Sequence, residues 1–134
     1  MARGAAAGLL GTAALSATLT ASKAAGWVPL SAPHEISYRF RAKTGVHHLP
    51  VWFVGHYAYG VACGGLFSLL RPLVPAPRAL AGTAFGLAVW AFSYLGVMPK
   101  LGLYPPARWD RPSRRRTMIA GHLIYGLVLA LAGR

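Results

Sequence analysis

Residues 50–70, PVWFVGHYAYGVACGGLFSLL, decide the fold, because this stretch contains no Asp, Glu, Lys or Arg. An ionised side chain at the centre of a bilayer costs at least ~2.5 kcal/mol. A helix needs roughly 17 to 25 residues to cross the hydrocarbon core, which is about 30 Å thick. The stretch is long enough and apolar enough to do so, and it therefore predicts a membrane-spanning helix.

Three more intervals, residues 4–22, 79–99 and 117–133, also lack acidic and basic side chains. Hydrophobic residues make up 55% of the chain and charged residues only 12%, about half the charged share of a soluble domain. We expect an all-α membrane protein, a single domain over residues 1–134, with four transmembrane helices at about 4–23, 50–70, 79–97 and 115–133. The Ala-rich first interval also fits a signal peptide.

The basic residues are unevenly distributed along the chain. Fourteen Lys and Arg stand against two acids, Glu35 and Asp110. Most of the basic residues fall in the two long connections, at Lys23, Arg39, Arg41, Lys43, Lys100, Arg108, Arg111, Arg114, Arg115 and Arg116. The positive-inside rule then predicts that both long connections are cytoplasmic and that both termini, including Arg134, face outward.

The first connection contains a candidate interfacial helix over about residues 32–43. Pro33 suits the first turn of a helix, and Glu35 suits its positive end. We expect this helix to lie on anionic lipid through Arg39, Arg41 and Lys43. The run Arg114, Arg115 and Arg116 is expected to anchor the fourth span at the headgroups. These basic residues are therefore assigned to the lipid bilayer, not to a nucleic acid.

An internal repeat links the second and fourth spans. Gly55-His-Tyr-Ala-Tyr-Gly60 recurs as Gly121-His-Leu-Ile-Tyr-Gly126. Gly11-Thr-Ala in the first span likewise matches Gly82-Thr-Ala in the third. This pattern predicts two similar helical hairpins, related as a parallel repeat by an axis along the membrane normal.

The repeated motif also predicts where polar groups meet inside the bundle. His56 and His122 lie at similar depth from the same side, and each shares a helix face with a tyrosine at i+3, Tyr59 or Tyr125. Small residues allow helices to approach closely in lipid. The glycines expected to form such contacts are Gly55, Gly60, Gly64, Gly82, Gly86, Gly121 and Gly126.

These residues allow three interpretations. In the first, the His and Tyr side chains only form hydrogen bonds between helices, and no cofactor is bound. In the second, His56 and His122 ligate the iron of a haem b, with Tyr59 and Tyr125 nearby, for electron transfer. In the third, the same side chains line a pathway for protons or a small solute.

Other chemistry has less support in the sequence. His47 and His48, together with His34 and Glu35, are a possible weak metal site. We find no phosphate-binding loop, no paired carboxylates and no nucleophile with a base, so the sequence predicts no enzyme.

The segment FSYLGVMPKLGLYPPA at residues 92–107, followed by the second Gly-His-x-x-Tyr-Gly motif, resembles the YagU-like family of small bacterial inner-membrane proteins. The similarity covers mainly residues 49 to 134. It implies a multi-span protein of the bacterial inner membrane, in some members associated with acid tolerance, and it supplies no catalytic residues. We therefore expect a non-enzymatic structural or accessory subunit that packs with other membrane protein subunits.

Overall fold

The computed structural model describes residues 1–133; Arg134, which the sequence analysis places at the outward end, lies outside the described residues. The fold contains five main helices and no strand within residues 1–133. They are α1 (Ala2–Ala24), α2 (Ala32–Thr44), α3 (His48–Leu73), α4 (Arg78–Lys100) and α5 (Pro112–Ala132). The all-helical fold class is thus confirmed. A helix also occupies the segment predicted to be interfacial.

Three helices, α1, α3 and α4, are long and apolar enough to cross a membrane. This is consistent with a membrane protein. Helix α5 is not among the three, since its first turns contain Arg114, Arg115 and Arg116. The fourth span therefore stays a prediction.

Helices α1 and α5 form the centre of the bundle. Helix α1 packs extensively against α3 and α5, and α4 packs against α5, whereas α3 and α4 make few contacts with each other. The chain runs up and down, so the two long connections lie at one end of the bundle. We call this the basic end. The opposite end holds the turn between Arg71 and Arg78, and there Arg78 Nη2 donates to the carbonyl oxygen of Gly133 at 2.5 Å.

Glycines form the close contacts between helices. Gly8 of α1 lies against the backbone of Gly60 and Gly64 in α3, and Gly82 of α4 lies against the backbone of Gly126 in α5. A Cβ atom at Gly8, Gly64, Gly82 or Gly126 would overlap neighbouring backbone, and one at Gly60 would overlap the side chain of Thr12. The helices therefore approach as closely as small residues in lipid allow.

A layer of apolar side chains lies in the half of the bundle away from the basic end. Leu129 and Ala130 of α5 are fully buried, and Ala7, Cys63 and Phe67 pack around them. Phe67 also contacts Phe85 across the space between α3 and α4, with ring centroids 5.2 Å apart.

Two helices contain π-helical segments near the basic end, Val51–Gly55 in α3 and Phe92–Val97 in α4. Each lies next to a proline, Pro50 or Pro99, which has no N–H to donate to the regular pattern. The span predicted at about residues 79–97 ends before Pro99, but the helix in the structure does not. The helix continues to Lys100, because the wider turns of the π segment accommodate the proline.

The parallel repeat stays a prediction. Gly60 faces Thr12, and its counterpart Gly126 faces the backbone of Thr83, the residue that matches Thr12 in the sequence. A parallel repeat would make the contact between α1 and α5 equivalent to the contact between α4 and α3. However, α1 packs closely on α5, whereas α3 and α4 barely touch.

Candidate functional site

Tyr125 connects three helices at the centre of the bundle. Its ring lies against Gly11 of α1, where an added Cβ would come within 2.8 Å of the ring. Its hydroxyl donates a buried hydrogen bond of 2.6 Å to the carbonyl oxygen of Gly60 in α3. Gly11 thus makes room for the ring, and Tyr125 ties α5 to α3 across α1.

His122 is buried, and its ring is held by its own helix. Its Nδ1 lies 2.8 Å from the carbonyl oxygen of Met118. Because a carbonyl can only accept, Nδ1 carries the proton in this contact. Nε2 is then the unprotonated nitrogen, available as an acceptor.

The two histidines and the two tyrosines of the repeated motif line one cavity of about 40 Å³. His56 is half-buried there, and its Nδ1 is 3.5 Å from the hydroxyl of Ser16 in α1. The cavity has room for about one to three water molecules. A porphyrin does not fit this volume, so the arrangement does not suit a haem between His56 and His122.

Tyr59 crosses the gap between α3 and α4. Its hydroxyl lies 2.7 Å from the hydroxyl of Ser93, which in turn donates to the carbonyl oxygen of Val89 at 2.9 Å. Tyr59 remains 40% exposed, since the two helices are too far apart to cover it. The side-chain bond thus joins helices whose backbones hardly meet.

Six of the seven glycines singled out in the sequence lie at contacts within the bundle: Gly60, Gly64, Gly82, Gly86, Gly121 and Gly126. Gly121 is the loosest of these, because a Cβ there would be 3.3 Å from Leu15. Gly55 is the exception. A Cβ at Gly55 would meet no atom within 4 Å, because α3 faces away from the other helices at that point.

A second cluster, formed around Asp110 at the basic end, was not expected from the sequence. The Asp110 carboxylate is fully buried and accepts hydrogen bonds from Tyr94 at 2.7 Å and Tyr104 at 3.0 Å. It also accepts from the backbone N–H of Arg111 at 2.8 Å and from Arg114 Nε at 2.7 Å. Each of the two carboxylate oxygens therefore accepts two hydrogen bonds.

The electrostatics of this cluster follow from burial and charge pairing. Burial acts to raise the pKa of Asp110, but the hydrogen bonds from Tyr94, Arg114 and Tyr104 outweigh it, and its pKa lies below the usual value. Burial raises the pKa of Tyr104. Asp110 is therefore ionised at neutral pH, and the phenol is not.

Arg114, which the sequence analysis assigns to lipid headgroups, lies in this cluster. Its side chain is only 12% exposed, and it binds Asp110 on one side and Glu35, at 3.4 Å, on the other. It also lies over the ring of Tyr104 at 5.1 Å. A buried carboxylate needs a cation, and this requirement draws Arg114 inward.

The other basic residues assigned to headgroups are more accessible. Arg41, Lys43 and Arg116 are exposed, and Arg39 is 43% exposed while it pairs with Glu35 at 2.8 Å. Arg115 is half-buried and reaches the carbonyl oxygen of Ala107 at 3.4 Å. Their lipid contacts stay a prediction.

The remaining histidines form aromatic stacks. His34 stacks on Trp52 with centroids 4.6 Å apart, and His48 lies between Tyr38 and His47. Within residues 1–133 no group of three or more His, Cys, Asp or Glu side chains is placed to hold a metal ion.

The sequence did contain a signal for the Asp110 cluster. Asp110 and Arg114 are four residues apart, as are Glu35 and Arg39, and this spacing favours ion pairs on a helix. Because the chain has two acids and fourteen Lys and Arg, an ion pair is expected for each acid. The contributions of Tyr94 and Tyr104 depend on the tertiary structure alone.

One family model, described as "Family of unknown function (DUF6789)", matches residues 1–133. No curated protein and no solved structure matches the chain.

Proposed function

Because the chain belongs to the DUF6789 family, whose function is unknown, we propose its role from its own residues: a non-enzymatic accessory subunit that packs with other membrane helices. The observation that carries this proposal is the open face formed by α3 and α4. These two helices pack inward on α1 and α5 but barely on each other. A partner helix can therefore bind along their shared outer face.

Two glycines support this position for a partner. Gly55 in α3 and Gly96 in α4 both face open space, and neither serves a contact within the bundle. Each lies at or within a π segment near the basic end, close to the Tyr59–Ser93 bond. A glycine inside a helix costs about 0.5–1 kcal/mol relative to alanine. A partner helix can approach closely at both positions, because neither carries a side chain.

The internal polar groups support a structural role for the bundle instead of catalysis. Tyr125 and Tyr59 bridge helices through hydrogen bonds, and the Nδ1 atom of His122 is engaged by its own backbone. Asp110 is saturated by donors. Such groups satisfy each other and leave no paired acid and base for a reaction.

A proton or solute pathway has weaker support. The cavity between His56 and His122 lies on the side of the basic end, and the apolar layer around Leu129 and Phe67 separates it from the opposite end. A continuous path needs polar groups or water through that layer as well.

The setting we propose is the bacterial inner membrane, as the resemblance to the YagU-like family implies. That resemblance stays a prediction, because the family model that matches the chain is DUF6789. The basic end faces the cytoplasm and anionic lipid, and nucleic acid is not a partner. Arg41, Lys43 and Arg116, which are exposed, supply the positive charge for the lipid surface.

Purification in a mild detergent tests the subunit proposal. We expect the chain to be recovered with a partner, and the double variant Gly55→Leu/Gly96→Leu to be recovered without it. Gly65→Leu is the matched control, because Gly65 also faces open space but lies ten residues from Gly55, about 15 Å along α3. Recovery of the native chain only as an isolated monomer, or equal loss of the partner in the control, would refute the proposal.

A further inference from the structure

A second cavity, larger than the one between the repeated motifs, opens at the basic end of the bundle. Its volume is about 160 Å³, compared with about 40 Å³ for the central cavity. It lies where the last turns of α1, the first turn of α2 and the start of α3 meet. This volume suits a small ligand or a headgroup, whereas the central cavity suits only water.

The charge in the walls of this cavity is positive and comes from Lys23. Lys23, His34 and His56 line it, and none of its lining residues is acidic. The two acids of the chain are engaged elsewhere, Glu35 with Arg39 and Asp110 with Arg114. Among residues 1–133, Lys23 takes part in no ion pair. The site therefore favours an anion.

A serine hydroxyl lies beside each imidazole in the wall. The hydroxyl of Ser31 is 2.8 Å from Nδ1 of His34, and the hydroxyl of Ser16 is 3.5 Å from Nδ1 of His56. A hydroxyl that donates to Nδ1 leaves the proton on Nε2, which can then donate to a ligand. With this hydrogen-bond direction, the Ser31 contact makes Nε2 the nitrogen that donates from His34.

Trp52 and Leu19 form the apolar part of the wall. The Trp52 ring stacks on His34 at 4.6 Å and fixes the plane of the imidazole. Burial lowers the pKa of His34, and the charges of Lys23 and His48 lower it further, so a bound anion would raise it. The site thus combines an apolar surface with the positive charge of Lys23 and the N–H groups of two imidazoles.

We propose that this cavity binds a phosphate group, held by Lys23, His34 and His56. These three side chains come from three different helices, so they approach a ligand from separate directions. A tetrahedral phosphate offers an oxygen to each of them, whereas a planar carboxylate has only two oxygens. The phosphate belongs either to an anionic lipid, whose apolar part lies along Leu19 and Trp52, or to a free phosphate ion. This inference goes beyond the subunit role and does not depend on it.

Fluorescence of Trp52 in the full chain tests the proposal. Trp27, Trp90 and Trp109 are replaced by Phe, so that Trp52 alone reports. The purified protein in neutral detergent is titrated with inorganic phosphate, with dihexanoyl phosphatidylglycerol, and with sodium chloride at matched ionic strength. Saturation by phosphatidylglycerol alone identifies a lipid headgroup, and saturation by inorganic phosphate identifies a free ion. A response no different from that to sodium chloride overturns the proposal.

Charge variants show whether the cavity itself binds the phosphate. Lys23→Gln should weaken binding about tenfold, as expected for the loss of one charge-assisted hydrogen bond, while Lys23→Arg retains it. Lys43→Gln removes the same charge from the exposed surface of α2, outside the cavity, and should leave binding unchanged. Equal weakening in Lys43→Gln would mean that the basic surface attracts the anion non-specifically, and would refute the assignment. Circular dichroism checks the helix content of each variant, and His34→Gln replaces Lys23→Gln if the latter does not fold.

Discussion

Replacement of Asp110 by asparagine should be the most destabilising single change of charge in the chain. The Asp110 side chain is fully buried, and its oxygens accept hydrogen bonds from two phenols, one backbone N–H and the Arg114 guanidinium. Asparagine has nearly the same shape, but its NH₂ group is a donor and cannot accept a hydrogen bond from these groups. Arg114, only 12% exposed, loses its principal counter-charge.

The expected size of this effect follows from burial. Removing one partner of a buried ion pair costs about 3–5 kcal/mol. Arg114 keeps a contact of 3.4 Å with Glu35, so we expect about 3 kcal/mol, the lower end of that range. Glu35→Gln is the matched control: Glu35 is 21% exposed and its closer partner Arg39 is 43% exposed, so its loss should cost about 1 kcal/mol or less. The difference of about 2 kcal/mol is a factor of roughly 30 in the unfolding equilibrium constant.

Reversible unfolding in mixed micelles at neutral pH, followed by the helical circular dichroism signal as the fraction of sodium dodecyl sulfate rises, measures both free energies. The native chain and the two variants are compared in the same micelles. If Asp110→Asn costs no more than Glu35→Gln, the buried cluster does not stabilise the fold in the way its geometry indicates.

Three further predictions concern the same bundle. Gly60→Val should destabilise it strongly, because the added side chain overlaps Thr12, whereas Gly65→Val should have little effect; similar unfolding midpoints in mixed micelles would contradict the close contact. Tyr125→Phe should cost about 1 kcal/mol in the same assay, as it removes only the hydrogen bond to the Gly60 carbonyl, and a cost near zero would mean that this bond contributes nothing. Because the pKa of Asp110 is lower in the folded than in the unfolded chain, ionised Asp110 stabilises the fold at a pH above its unfolded pKa, and this stability is lost as the pH falls through its folded pKa. A titration of the unfolding free energy below about pH 4 should show the loss in the native chain but not in Asp110→Asn.

Much of the fold could be predicted from the distribution of charge. The uncharged intervals locate α1, α3 and α4, since only a helix satisfies its backbone within an apolar surrounding. Proline rules located the boundaries less well. Pro99 does not end α4, because the adjoining π segment compensates for the missing N–H, and single-residue rules do not include such neighbours.

The candidate site was predicted in part. The repeat indicated that His56, Tyr59, His122 and Tyr125 come together, and they do line one cavity. Its small volume could not be known from the sequence, because it depends on how closely the glycines let the helices approach. Gly55 shows the same limit. It and Gly121 are the first glycines of the two copies of the motif, but only Gly121 lies against a neighbouring helix.

The sequence alone indicated the helices, the basic end and the apolar segments long enough to cross a membrane, because each depends on local chain composition. Only the tertiary structure decided that Arg114 turns inward to Asp110 and Glu35, and that Lys23, His34 and His56 share a cavity. These side chains come from distant parts of the chain, and their meeting depends on the packing of α1 and α5 at the centre of the bundle. Helix packing is set by the fit of whole surfaces, which no single segment contains.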